Sequence, residues 1–237
     1  MFYLIGLGLN LNSLTREALS ALKKCKKIYL ENYTVDFPYT LEELREETGE
    51  FEEVGREFVE KEEFVLEARK KDIALLVYGD VLAATTHISL VLRCEKEEIK
   101  YKIIHNAGIF NAISETGLQM YKFGKTASLP KWQENFTPDS FAEIIRDNLK
   151  IKAHTLLLVD IGLDFKKARE ELRTACGNKK VFLDKILVCS SMGTDKKKIY
   201  YERLDNLPED IERPFCLIIP SNLHEMEKTA LAELANL

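Results

Sequence analysis

The clearest chemistry in the chain lies in the stretch Ile73-Ala74-Leu75-Leu76-Val77-Tyr78-Gly79-Asp80, an apolar run that ends in Gly-Asp. In an open parallel sheet such a turn falls just past the carboxyl edge of a strand, where ligands settle. Glycine lets backbone approach a ligand with no Cβ in the way. The neighbouring carboxylate can accept hydrogen bonds from hydroxyls or attract a cation. Capping of the next helix is the competing use for Asp80. Two more glycine turns repeat the arrangement, around Gly8 after Phe2–Ile5 and around Gly108 after Tyr101–His105. Three such turns from one layer should open on one sheet edge, which suits a single ligand, although glycine also ends strands for purely structural reasons.

The Gly6-Leu7-Gly8 turn raises the question of dinucleotide binding. That fingerprint needs a small residue at position 11, where the helix presses on the strand, and the chain has Leu11. Glu31 could imitate the ribose-binding acid, but a bare Gly-x-Gly carries little weight, and NAD is disfavoured. The four histidines have no metal-ligand spacing, so no metal site is expected. Five scattered cysteines without a C-x-x-C pair read as reduced, mostly buried thiols of a cytoplasmic protein.

The elements that position these residues follow from hydrophobic period. A strand at Phe2–Ile5, an Asn12-Ser13 cap, apolar positions Leu14, Ala18, Ala21, Leu22 and Cys25 at helical spacing, and a strand at 27–31 make a βαβ unit with parallel pairing. Thr40 and Glu43 form a capping box, and the acidic run 42–63 reads as solvated helix faces and loops. Phe64, Val65 and Ala68 suggest a helix before the strand at Ile73, and a buried helix over 84–95 precedes the strand at Tyr101. A helix at 110–116 closes this half. The pattern then breaks, and the division is placed at 122: an N-terminal α/β domain, 1–122, and a C-terminal α/β domain, 123–237. The second half reads strand 126–129, helix 139–149, strand 155–160, helix 165–175, strand 185–189, edge strand 198–203, central strand 215–219 and a terminal helix, 223–236.

With 46% hydrophobic and 31% charged residues, the chain can bury a core. A net charge of −5 argues against a primary nucleic-acid binder. The basic runs Lys23-Lys24 with Lys26-Lys27, and Lys196-Lys197-Lys198, read as solvated faces. No segment approaches the roughly 20 apolar residues of a membrane span, and the first residues lack the basic start of a secretory leader.

Several motifs occur in order at matching intervals: Gly6-Leu7-Gly8-Leu9, Glu31-Asn32-Tyr33-Thr34, Gly79-Asp80 with Ala84-Thr85-Thr86-His87, Thr116-Gly117-Leu118 with Tyr121-Lys122-Phe123-Gly124-Lys125, His154-Thr155-Leu156-Leu157 through Asp160-Ile161, and Pro220-Ser221-Asn222-Leu223-His224. Together they resemble the diphthine synthases, in the tetrapyrrole-methylase-like group of S-adenosylmethionine-dependent methyltransferases. The Thr-Gly-Leu to Gly-Lys run separates that branch from its corrin- and rRNA-methylating relatives. The family usually has prolines on either side of Gly-Asp; here Tyr78 and Val81 stand there, so packing of Tyr78 is expected to hold the loop.

The resemblance implies an α/β fold of two α/β domains with a cofactor cleft between them, and a homodimer. It implies S-adenosyl-L-methionine contacts at Leu9, Asp80, Ala83, Gly108, Ile109, Val159, Met192 and Phe215, largely apolar turn residues, with an electrostatic or hydrogen-bonding role for Asp80. The implied reaction is N-methylation, to the trimethylammonium form, of the modified histidine of translation elongation factor 2 in diphthamide biosynthesis, with no membrane or direct nucleic-acid partner. A neutral amine displaces an activated methyl, so no metal or dedicated nucleophile is needed, and alignment is the protein's main contribution. His87 and His105 are candidates for the proton acceptor, with hydrogen-bonded structural roles as the plainer reading. The alternatives are a relative acting on a corrinoid or rRNA, and a nucleotide-binding module without chemistry.

Overall fold

The computed structural model describes residues 1–235. Five strands, β1 (Phe2–Gly6), β2 (Lys27–Glu31), β3 (Glu52–Val54), β4 (Ile73–Val77) and β5 (Tyr101–Ile104), form an all-parallel sheet in the order β3-β2-β4-β1-β5. Its helices are α1 (Arg16–Leu22), α2 (Leu41–Thr48), α3 (Arg56–Lys61), α4 (Ile88–Lys96) and the single turn α5 (Ile109–Ala112). Side chains alternate across the sheet, as the pleat requires. Phe2, Leu4, Ile73, Leu75 and Val77 meet Leu90, Val91 and Cys94 of α4 on one face. Tyr3, Ile5, Ala74 and Leu76 meet Ala18, Ala21 and Leu22 of α1 on the other.

The two crossovers therefore leave the adjacent strands β1 and β4 toward opposite faces and opposite edges. That is a topological switch point, and the carboxyl ends of β1 and β4 are where an open sheet of this kind is expected to take a ligand. The expected pairing of β1 with β2 does not form. Ile73 pairs with Phe2 on one side and with Lys27 on the other, because β4, buried at every position, takes the centre.

Local differences have simple causes. Asn12 and Ser13 lie in a 3-10 turn, Leu11–Ser13, and the cap of α1 is Thr15, whose Oγ1 accepts from the Ala18 N–H at 3.0 Å. Thr40 and Glu43 do form their capping box on α2. Phe64, Val65 and Ala68 are buried from a 3-10 segment, Glu63–Arg69. Within the acidic run sits β3, an edge strand whose Glu52 and Glu53 face solvent; charges on an edge strand discourage pairing with another chain. Helix α4 starts at Ile88, because 81–84 form a turn.

The second sheet holds β6 (Ala127–Leu129), β7 (Thr155–Val159), β8 (Lys185–Ser190), β9 (Lys198–Arg203) and β10 (Phe215–Ile219), ordered β6-β7-β10-β8-β9. Strands β6 and β7 pair parallel, whereas β10 runs antiparallel to β7 and β8, and β9 antiparallel to β8. Helices α6 (Ser140–Lys150) and α7 (Phe165–Asn178) cover one face, with Phe141, Ile145, Phe165 and Leu172 packed on Leu157, Val188 and Leu217. Strand β10 is central and β9 lies at the edge, as the hydropathy pattern indicates. The last helix, α8, spans Glu225–Leu234, and position 236 of the expected helix lies outside the described residues.

The chain divides into compact units Met1–Ala112 and Ile113–Leu237, ten residues ahead of position 122. Residues 113–122 belong with the second unit because they are bound to α8: the Gln119 N–H donates to Glu227 Oε1 at 2.9 Å. Among the described residues, no helix is long and apolar enough to cross a membrane.

A candidate cofactor site at the switch point of the parallel sheet

The turns after β1 and β4 are joined backbone to backbone. The Gly8 N–H donates to Gly79 O at 3.1 Å and the Gly79 N–H to Gly8 O at 2.9 Å. Gly79 has φ +73°, and a Cβ placed on it would lie 3.4 Å from Gly108 Cα and 4.0 Å from Leu9 Cδ2. A Cβ on Gly108 would lie 3.2 Å from Asp80 N and 4.0 Å from the Ala83 methyl. Leu9, Asp80, Ala83 and Gly108 thus converge, with Ile109 next along the chain. All three glycine turns open on one edge.

Two side chains that motif reasoning undervalued fix this edge. Asn106 donates through Nδ2 to Gly6 O (3.1 Å) and Ser13 O (2.9 Å), while its own N–H donates to Asp80 Oδ2 (3.2 Å). An asparagine two residues before a strand-ending glycine is the signal that could have marked it. The Tyr78 hydroxyl donates to Leu9 O at 3.1 Å, and its ring meets Phe37 edge-on at 5.5 Å and Tyr39 at 6.3 Å. The loop is therefore held by Tyr78, through a hydrogen bond as well as packing.

Asp80 does not cap α4. Its Oδ1 accepts from the Leu82 N–H (3.0 Å), and its Oδ2 from His105 Nδ1 (2.8 Å) as well as Asn106 N. Partial burial alone would raise this carboxyl, but the Leu82 N–H, the His105 ring and the Asn106 N–H together hold it below its ordinary value. Three of its roughly four acceptor positions are used. The carboxylate stays anionic, with an acceptor position in hand.

His87 and Glu31, by contrast, are consumed by the fold. His87 is 3% exposed and Glu31 1%. Ring Nδ1 lies 3.3 Å from Val81 O and Nε2 3.2 Å from Glu31 Oε2, while Thr34 donates to Glu31 Oε1. Glu31 is thereby unavailable to a ribose, which removes the one residue that favoured NAD. Ala84, three residues before this histidine, has φ +58°, a strained conformation for a residue with a Cβ.

In the second unit, Val159 ends β7, Phe215 opens β10, and Met192 follows β8 in a turn flanked by Ser191 (φ +49°) and Gly193 (φ +77°). Phe215 pairs with Ser190, and Cys216 with Leu158, so these three positions share one end of the sheet. The Phe215 ring is turned into the core, edge-on to Phe165 at 5.7 Å.

The motif residues of this unit build a buried junction. Glu227 Oε2 accepts from Lys122 Nζ and from the His224 N–H (2.7 Å); Glu227 Oε1 accepts from Gln119 N and faces His154 Nε2 at 3.1 Å. The Ser221 N–H donates to His154 Nδ1 at 2.9 Å, which makes His154 a neutral Nε2–H imidazole. Burial lowers the His154 pKa, against the pull of Glu227. Burial would raise the Glu227 carboxyl, but Lys122, two backbone N–H groups and His154 bring it down to about 2.

The family model of the tetrapyrrole (corrin/porphyrin) methylases matches residues 1–208. The chain belongs to that family. Within it, the chain is 38% identical over 251 residues to the diphthine synthase of Methanococcus maripaludis, covering 99% of this chain and 98% of that one. It is 45% identical over 166 residues to the diphthine methyl ester synthase of Kluyveromyces lactis, covering 68% of this chain and 56% of that protein, so the match spans little more than half of that relative's length. A crystal structure of diphthine synthase superposes with a TM-score of 0.88 at 31% identity, covering 99% of this chain and 96% of that one. The resemblance to the diphthine synthase branch is borne out. Among the described residues of this tetrapyrrole methylase, no group of three or more His, Cys, Asp and Glu side chains could hold a metal ion.

Proposed function

We propose that this tetrapyrrole methylase uses S-adenosyl-L-methionine to N-methylate, to the trimethylammonium form, the modified histidine of translation elongation factor 2. The observation that carries the reading is the convergence of Leu9, Asp80, Ala83, Gly108 and Ile109 on the switch-point edge, where two glycines leave bare backbone beside small apolar side chains and one anionic carboxylate. Such a surface fits an adenine that needs apolar walls, together with hydroxyls and a cationic centre that need an acceptor. Val159, Met192 and Phe215 are the contacts proposed for the second unit.

When bound, the cofactor supplies an activated methyl group. The chain's own contribution is position. Asp80 is aimed before any ligand arrives, because Leu82, His105 and Asn106 already hold its oxygens. Leu9 is held through its carbonyl by Tyr78. Aligning an amine with a reactive carbon and excluding water is worth up to ~7–11 kcal/mol in well-ordered intramolecular reactions.

Calorimetry with S-adenosylmethionine and with NAD, followed by labelled-methyl transfer to elongation factor 2 carrying the unmethylated intermediate, tests the proposal. Binding of S-adenosylmethionine and label in the factor are expected. Binding of NAD alone would sink the cofactor assignment. Cofactor binding without label in the factor would leave the site standing and the substrate wrong.

A further inference from the structure

An amine that is to be methylated arrives as its ammonium form and must lose a proton before its lone pair can attack. Four histidines are available, and the structure separates them by which ring nitrogen is committed. His87 and His154 are buried with both nitrogens engaged. His224 accepts the Met226 N–H on Nδ1 at 3.3 Å, which leaves the proton of its neutral ring on Nε2. His105 is the reverse case. Its Nδ1 faces Asp80 Oδ2 at 2.8 Å, its side chain is 63% exposed, and Nε2 has no partner among the described residues. Asp80, which is held as an anion, accepts only if Nδ1 carries the hydrogen, so the neutral ring presents a bare Nε2 lone pair. This contact reaches from the end of β5 over the end of β1 to the Gly-Asp turn, and Asn106 N–H donates to the same Asp80 oxygen. The ring is therefore oriented by a second group at the very edge where the cofactor site is proposed. Base and orienting carboxylate within hydrogen-bond reach form the geometry expected of an oriented general base.

We propose that His105 is the catalytic base of the methyl transfer, taking the substrate ammonium's proton on Nε2 while Asp80 fixes its tautomer. The N–H bond of the ammonium breaks, its electron pair stays on nitrogen as the nucleophilic lone pair, and the proton forms the Nε2–H bond of an imidazolium stabilised by Asp80. The proton leaves to solvent from the exposed ring between methyl additions. The inference rests on the methyltransferase reading above.

The test uses the full chain. His105→Ala leaves two of the three groups that hold Asp80 in place, so it should still bind S-adenosylmethionine in calorimetry, with weakened affinity, and its transfer is measured at saturating cofactor. Its single-turnover transfer should fall by about 10²-fold, the usual scale for losing a general base, and added free imidazole should restore the rate in proportion to its concentration. A structural loss would not respond to imidazole. Independently of activity, long-range proton–nitrogen NMR of the cofactor-free protein at alkaline pH should find His105 as the Nδ1–H tautomer, and Asp80→Asn should abolish that preference. Transfer at the unaltered rate in His105→Ala, a loss that imidazole does not rescue, or an Nε2–H tautomer in the unaltered protein would each overturn the assignment. Absence of both binding and transfer in the unaltered protein would identify the methyltransferase reading itself as the failure, and the base with it.

Discussion

Glu227 offers the most quantitative test of the second unit. Its carboxylate is fully buried, and the Lys122 ammonium, two backbone N–H groups and the His154 ring hold it at about 2 against an ordinary 4.5. At ~1.4 kcal/mol per tenfold change in proton affinity, that difference is worth about 3 kcal/mol of folding free energy. The sign follows from the direction: the folded value is depressed, so this stability is present above pH 4.5 and is lost as pH falls toward 2. Glu227→Gln keeps the shape but strands a largely buried ammonium, for which losses of about 3–5 kcal/mol are typical. In a chain of this size that is a fall of about 10 °C in Tm. The single tryptophan, Trp132, lies in the same unit, its backbone N–H donating to Glu171 and its indole N–H to Pro138 O, so urea unfolding followed by its fluorescence reports on the right part of the molecule. At pH 7 the variant should unfold at a clearly lower urea midpoint, and the gap should close as pH is lowered through 4.5 toward 2. A variant within ~0.5 kcal/mol of the parent at pH 7, the range usual for surface substitutions, or a gap that persists at pH 2, would refute the reasoning.

Other expectations are simpler. Gly117 has φ +80°, and a Cβ there would stand 2.2 Å from the Ala230 Cβ of α8, so Gly117→Ala should destabilise severely in a thermal melt. Adding Ala230→Gly should recover the clash but not the backbone penalty of about 1 kcal/mol. Tyr78→Phe removes the hydroxyl that ties down Leu9; calorimetry should register weaker S-adenosylmethionine binding with the fold intact by circular dichroism. Ala84→Gly relieves a residue at φ +58° and should raise stability by up to ~1 kcal/mol in urea unfolding. Glu31→Gln disturbs the buried His87 contact and should cost about 1–3 kcal/mol by the same measurement, without the imidazole-rescuable loss expected at His105.

Much of this was legible in the residues because parallel βα turns are written locally. An apolar run followed by Gly-Asp, or by Asn-Ala-Gly, announces both a strand end and a ligand edge, and the structure put Gly8, Gly79 and Gly108 together. What stayed hidden was non-local. Nothing in 27–31 says that β4 will insert beside it, since that order is settled by which run is apolar enough to be buried on both faces. Strand β3 was masked by its own exposed glutamates. The Asp80–His105 contact spans residues twenty-five apart, and proximity in sequence pointed as readily to His87, whose ring turned out to be buried against Glu31.

The junction around Glu227 also bears on how a chain of this kind is identified at all. Lys122, His154 and the backbone of 221–224, all within the motifs that carry the resemblance to the diphthine synthases, spend their polar groups on one another inside a single fold unit. They report that the scaffold is assembled. A descendant that kept every one of those letters and replaced only the residues at the carboxyl ends of β4 and β5 would still be filed under the same name while having lost the site proposed for its methyl donor.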